Sequence, residues 1–94
     1  MPADLDEKVD RYEALLADAI EAAEPIPDAE TPLGDAAADF FEMASSYLED
    51  GRHFDAEDDP VNALAAFAYG HAWLDAGARL GLFSVPTEGD LFTV

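Results

Sequence analysis

The sequence contains no cysteine, one lysine and three arginines among its 94 residues. The absence of cysteine excludes a disulfide framework, a thiolate metal site and a cysteine nucleophile. The four basic residues stand against 22 acidic ones. Binding to nucleic acid requires a Lys/Arg patch that neutralises phosphates. The sequence therefore predicts no nucleic-acid partner.

Long apolar runs are also missing. No window approaches the roughly 20 apolar residues that a membrane-spanning helix requires. The beginning, "MPADLDEKVDRYEALL", has neither the basic region nor the apolar region of a secretory leader. We therefore expect no membrane partner and a cytoplasmic location.

Acidic residues are abundant and give a formal net charge of −18. Such a surface repels itself in dilute buffer, whereas at molar salt the Debye length falls to about 3 Å and screens the repulsion. Many acids, much alanine and almost no lysine are typical of proteins from halophiles that accumulate salt. The alternative is an acidic mimic of nucleic acid, but the acids are spread along the chain and not clustered.

Three segments show the spacing of apolar residues by threes and fours that indicates amphipathic helices. The predicted helices cover about 3–23, 33–55 and 60–82. A linker over 24–32 contains three prolines, which cannot continue a helix, and a short extended tail covers 83–94. The length is that of one domain. We predict an all-α fold, a three-helix antiparallel bundle.

Local signals mark where the predicted helices begin. Asp4 and Glu7 resemble a capping box, and Thr31 before Pro32 is a favourable start for the second helix. Asp59 and Pro60 are a similar pair for the third helix. The connection between the second and third helices is therefore short, which predicts that they are antiparallel neighbours.

The third predicted helix is apolar on nearly every side. The stretch "NALAAFAYGHAWLDAGARLGLF" carries one acid, Asp75, and one base, Arg79. A helix of this kind is normally buried on every side. The first and second helices, however, have narrow apolar stripes and can cover only part of it. We predict that Tyr69, Trp73 and Leu80 form an interface, with Trp73 as its anchor. Its partner would be a second copy in a homodimer or another protein, or the tail "DLFTV" folds back as the cover.

The stretch Ala44 to Leu82 resembles the archaeal family called domain of unknown function 357. The family pattern has an Ala-x-x-Tyr-x-x-Asp turn, an aromatic and acidic loop, an Ala-rich helix with Tyr, and then Leu-Asp-Ala-Gly and a closing Gly. The matching positions are Ala44, Tyr47, Asp50, Phe54, Asp59, Ala63, Ala66, Tyr69, Leu74, Asp75, Ala76, Gly77 and Gly81. The resemblance implies an archaeal three-helix bundle and supplies no catalytic residues. Ala72 departs from the pattern, which has glycine there in many relatives.

One group of polar residues could carry a site. His71, Asp75 and Arg79 share a helix face because they are spaced by four. With Tyr47 and Tyr69 they could bind a small ligand or cation between the second and third helices. In the alternative interpretation, Asp75 is a structural anchor held by Arg79 and His71, since buried polar groups need such partners.

Other chemistry has less support. His53, Asp55, Glu57, Asp58 and Asp59 could bind a cation, but the loop lacks the glycine and terminal glutamate of an EF-hand, which favours a solvated acidic loop. The serines lie in no nucleophile motif, and no glycine-rich phosphate loop is present. Small helical nucleases place Arg four to six residues before His, whereas Arg52 and His53 are adjacent.

We therefore predict no catalytic residue, cofactor or metal, and a noncatalytic interaction module as the function. A small-ligand or cation-binding bundle is the alternative, and an enzyme is the third hypothesis. A cavity lined by Tyr47, Tyr69, His71 and Asp75 would favour the ligand hypothesis. A flat apolar patch would favour an interaction module.

Overall fold

The computed structural model describes residues 4–93. Three helices follow one another along the chain: α1 (Leu5–Ala22), α2 (Pro32–Ala56) and α3 (Pro60–Arg79). Two short strands, β1 (Glu24–Pro25) and β2 (Phe83–Ser84), complete the elements of this part of the chain. The predicted all-α three-helix fold is confirmed. The predicted start of the first helix near residue 3 lies outside the described residues, as does the last residue of the predicted tail.

Each helix begins at a side chain that caps it. The Asp4 carboxylate accepts hydrogen bonds from the backbone N–H groups of Asp6 (3.0 Å) and Glu7 (3.3 Å). Thr31 Oγ1 accepts from Gly34 N at 3.0 Å, and Asp59 Oδ1 accepts from Asn62 N at 3.3 Å. These bonds satisfy N–H groups that have no partner within the helix. Local sequence therefore determines where all three helices start.

The end of α3 differs from the prediction. The helix ends at Arg79 and not at residue 82. Gly81 adopts a φ of +80°, in the left-handed region that glycine tolerates, and Leu82 N donates to the carbonyl of Gly77 at 2.8 Å. This closure turns the chain back along the bundle and places Phe83 against Gly77.

The three helices meet around a small apolar core. Its largest fully buried side chains are Phe67, Leu16, Leu74 and Val9. The α3 backbone comes close to both other helices at Gly70, where an added Cβ would lie 2.8 Å from Tyr47 Cβ and 2.9 Å from Leu16 Cδ2. Glycine is required there because no side chain fits between the helices.

After α3 the chain returns over the bundle. β2 pairs antiparallel with β1 in the register Pro25 opposite Phe83, a pairing that the sequence did not predict. Farther along, Phe92 is buried at 6% exposure and packs with the core cluster. The described residues of "DLFTV" therefore fold back, but they lie against His71, Asp75 and Arg79. The expectation that this segment covers the predicted interface is wrong, because Tyr69 and Leu80 remain exposed. We call Leu91–Thr93 the docked segment.

Candidate functional site

One side of α3 carries apolar residues that no other described part of the chain covers. Tyr69 is 52% exposed, Leu80 69% and Val61 65%. Exposed alanines lie between them along the helix. We call this surface the uncovered face; its residues are Val61, Ala65, Tyr69, Ala72, Ala76 and Leu80.

Aromatic rings connect the uncovered face to α2. Trp73 meets Phe40 edge to face at 5.0 Å between centroids, and Tyr69 meets Tyr47 at 4.7 Å in the same manner. Tyr69 and Trp73 lie 6.3 Å apart. Offset and edge-to-face pairs of this kind stabilise by about 0.5–1.5 kcal/mol beyond the burial of area. The rings therefore form a continuous and rigid row at the edge of the uncovered face.

Trp73 is half-buried within this row and does not project from it. Its indole Nε1 is buried and has no hydrogen-bond partner among the described residues. A shallow depression of about 220 Å³ lies beside it, lined by Phe40, Tyr69, Ala72, Trp73 and Ala76. The most exposed large side chains of the predicted interface are therefore Tyr69 and Leu80, while Trp73 supports them from beneath.

The polar trio His71, Asp75 and Arg79 binds the docked segment. His71 Nε2 donates to the Leu91 carbonyl at 2.6 Å, and Arg79 donates to the Thr93 carbonyl at 2.7 Å. Asp75 accepts from the backbone N–H and from the hydroxyl of Thr93, each at 3.1 Å. The His71 ring also lies 5.8 Å from the ring of Phe92. The trio thus binds an extended segment of the same chain and holds it against α3.

The anchor interpretation of Asp75 was correct in part. His71 Nδ1 lies 3.4 Å from Asp75 Oδ2, as that interpretation requires. Arg79, however, forms no ion pair with Asp75 among the described residues; it binds Thr93 instead. The sequence could not indicate this partner because the contacts join residues 14 to 20 positions apart.

The tyrosines of the predicted ligand site lie apart from the trio. Successive residues of a helix are rotated by about 100°, so Tyr69 and His71 differ by about 200° around α3. Their contacts agree: Tyr69 meets Tyr47, whereas His71 meets the docked segment. The ligand hypothesis remains a prediction. A ligand that reached His71, Asp75 and Arg79 together would have to displace Leu91–Thr93.

Asp55, which was expected in an acidic loop, lies in the last turn of α2 and belongs to a cluster that the sequence did not indicate. Carboxylate oxygens of Asp10, Glu13 and Asp55 lie within 4.8 Å of one another. Two of these residues come from α1. Glu13 also accepts a hydrogen bond from Arg52 Nε at 2.7 Å. One guanidinium therefore offsets part of the repulsion in this exposed cluster.

Asp75→Ala is expected to lower the free energy of unfolding by about 1–2 kcal/mol, because it leaves the N–H and the hydroxyl of Thr93 without their acceptor. Asp75→Asn should cost less, since an amide oxygen still accepts one bond. Thermal melts of both variants measure the effect. Combined with Thr93→Val in a double-mutant cycle, Asp75→Ala should show coupling. Strictly additive effects would mean that the bond from the Thr93 hydroxyl to Asp75 contributes nothing to stability.

No helix of the described residues has the length and apolar character needed to cross a membrane.

Comparison with known proteins extends the resemblance seen in the sequence. The model of the family described as "Protein of unknown function (DUF357)" matches residues 11–83. The match therefore includes most of α1 and ends before the docked segment. No curated protein and no solved structure matches the chain. Since the family model covers well over half of the 94 residues, the chain belongs to the DUF357 family.

Proposed function

We propose that this DUF357 protein is a noncatalytic self-association module in which the uncovered faces of two copies meet. We place it in the salt-rich cytoplasm of a halophilic archaeon. The observation that supports self-association is the contrast between this face and the rest of the molecule. A chain with a net charge of −18 carries no acidic residue on the uncovered face.

Charge favours a second copy as the partner. Two surfaces of the same sign repel when they approach, and acidic groups at a contact would have to be desolvated. A face without acids is the part of this molecule where two copies can meet with the least repulsion. In a two-fold dimer the same patch is used twice, so a self-complementary apolar face is sufficient.

The side chains on the face suit such a contact. Tyr69 offers a large ring that its neighbours Tyr47 and Trp73 already hold in place, so little side-chain entropy is lost on binding. The alanines between Tyr69 and Leu80 allow a second helix to approach closely. We propose Tyr69 and Leu80 as the contacting side chains, with the half-buried Trp73 behind them as the anchor of the row.

Tyr69→Glu combined with Leu80→Glu is expected to convert a dimer into a folded monomer. Four carboxylates would lie at one contact, which should weaken association by at least about a hundredfold, because facing like charges cost several kcal/mol. Light scattering at molar salt should give twice the 10.1 kDa of one chain for the unaltered protein and the mass of one chain for the variant.

Ile26→Glu provides a matched control, because Ile26 is an apolar residue of 57% exposure that lies outside α3. This variant should remain dimeric. A mass of one chain for the unaltered protein at every concentration would contradict self-association. Dissociation of the Ile26→Glu control would instead place the contact elsewhere.

A further inference from the structure

A cavity of about 570 Å³ lies on another side of α2, between that helix, the proline segment 25–29 and Phe83. Its volume is within the range of about 300–1,000 Å³ that small-molecule sites occupy. Ala37, Ala38 and Phe41 form the helix wall, and Phe83 closes one end. The small alanine side chains leave the space open.

The wall opposite α2 is held in place by backbone contacts. Ile26 N donates to the Leu82 carbonyl at 2.9 Å, and Pro25 pairs with Phe83. Farther along, an added Cβ at Gly34 would collide with the Asp28 carbonyl, so the segment lies directly against α2. The prolines further restrict the backbone. The cavity is therefore formed before any molecule enters it, which lowers the entropic cost of binding.

The lining is apolar except for two side chains, Glu42 and Ser45, which are neighbours one turn apart on α2. Glu42 supplies a carboxylate, an acceptor with negative charge, and Ser45 supplies a hydroxyl. An anion would be repelled by the Glu42 carboxylate at contact distance, where salt screens less than it screens repulsion across the whole surface. The Glu42 carboxylate and the Ser45 hydroxyl thus specify a ligand with an apolar body and a donating, cationic end.

We propose that this cavity binds a small apolar amine, whose hydrocarbon part lies between Phe41 and the proline segment 25–29 and whose ammonium group lies at Glu42 and Ser45. The site is independent of the uncovered face, because Phe41 points about 100° away from Phe40 around α2. Its concave shape suits a small molecule, whereas the uncovered face suits a second protein surface.

The test uses the full chain at molar salt with three probes of equal length: octylammonium, octanol and octanoate. Chemical shifts of the backbone amides report binding. Octylammonium should shift the amides of Ala37, Ala38 and Ser45 at the lowest concentration, octanol at a higher one, and octanoate least. Glu42→Gln should weaken octylammonium binding by about three- to tenfold through loss of a charge-assisted hydrogen bond, and leave octanol binding unchanged.

Ala38→Phe should fill the cavity and weaken both octylammonium and octanol by at least about tenfold, a difference of about 1.4 kcal/mol. Ala38 is exposed on the helix, so the larger ring does not enter the core. Ala56→Phe is the control, since Ala56 is exposed on the same helix and outside the cavity. Equal binding of all three probes, shifts elsewhere in the chain, or full binding by Ala38→Phe would overturn the proposal. Shifts of the cavity amides on protein dilution alone would also overturn it, because a second copy would then be the occupant.

Discussion

Gly70→Val is expected to destabilise the protein by about 4 kcal/mol and to lower its melting temperature by about 20 °C. The first added carbon alone would lie 2.8 Å from Tyr47 Cβ, 2.9 Å from Leu16 Cδ2 and 3.2 Å from the Ala44 carbonyl oxygen. Two of these neighbours belong to α2 and one to α1. The three helices must therefore separate, and a flexible side chain cannot relieve the collision.

The destabilisation by Gly70→Val is large relative to the total free energy of unfolding. A domain of this size has a free energy of unfolding on the order of 5–14 kcal/mol, at about 0.05–0.15 kcal/mol per residue. Gly70→Ala should give an intermediate effect, since it adds one carbon and improves helix propensity. Ala68→Val is the matched control because Ala68 is exposed on the same helix. A melting temperature for Gly70→Val close to that of this control would show that the helices are not tightly packed at Gly70.

Helicity is expected to fall cooperatively when potassium chloride is lowered from molar concentration to about 0.1 M, where the Debye length grows from about 3 to 10 Å. No charged side chain of the described residues is buried, so the acids face solvent and one another. Among these residues, Glu13 forms an ion pair with Arg52, while Glu57 and Asp75 lie near histidines that carry a charge only when protonated. Local pairing therefore compensates little of the net charge of −18.

Circular dichroism across the salt series measures this effect. Asp10→Asn with Asp55→Asn should move the midpoint to lower salt, because it removes two charges from the cluster around Glu13. Glu30→Gln with Glu88→Gln removes the same charge at exposed positions that belong to no such cluster in the described chain, and should move the midpoint less. An unchanged spectrum over the whole range would contradict the interpretation of the composition as halophilic.

The parts of the fold that the sequence predicted are those that depend on near neighbours. Thr31 and Asp59 each accept a hydrogen bond from the backbone N–H three residues farther along the chain, so their role as caps is visible in the order of residues. The end of α3 was predicted three residues too late, because the apolar pattern continues through Leu82. What stops the helix is the left-handed Gly81 and the packing of Phe83 on Gly77, and the second of these depends on the path of the chain after the turn.

The candidate sites also differ in whether they depend on near or on distant residues of the chain. The excess of apolar residues on the third helix predicted a surface that includes Tyr69 and Leu80, because helical spacing alone places them on one side. The pairing of Asp75 with Thr93 had no such signal, since an extended segment can dock anywhere within its reach. The cavity had no signal in the sequence either. Its wall depends on contacts between distant parts of the chain, such as the bond from Ile26 N to the Leu82 carbonyl across more than fifty residues.

The short connection Glu57–Asp59 has a consequence for synthesis on the ribosome. Closing a short loop costs little entropy, so α2 and α3 can pair soon after both have been made. α1 is translated first, yet Leu16 rests against Gly70 of α3. The apolar side of α1 therefore lacks part of its packing surface until α3 has left the exit tunnel of the ribosome. In the nascent chain, α1 therefore stays partly exposed until α3 has emerged, although α1 is made first.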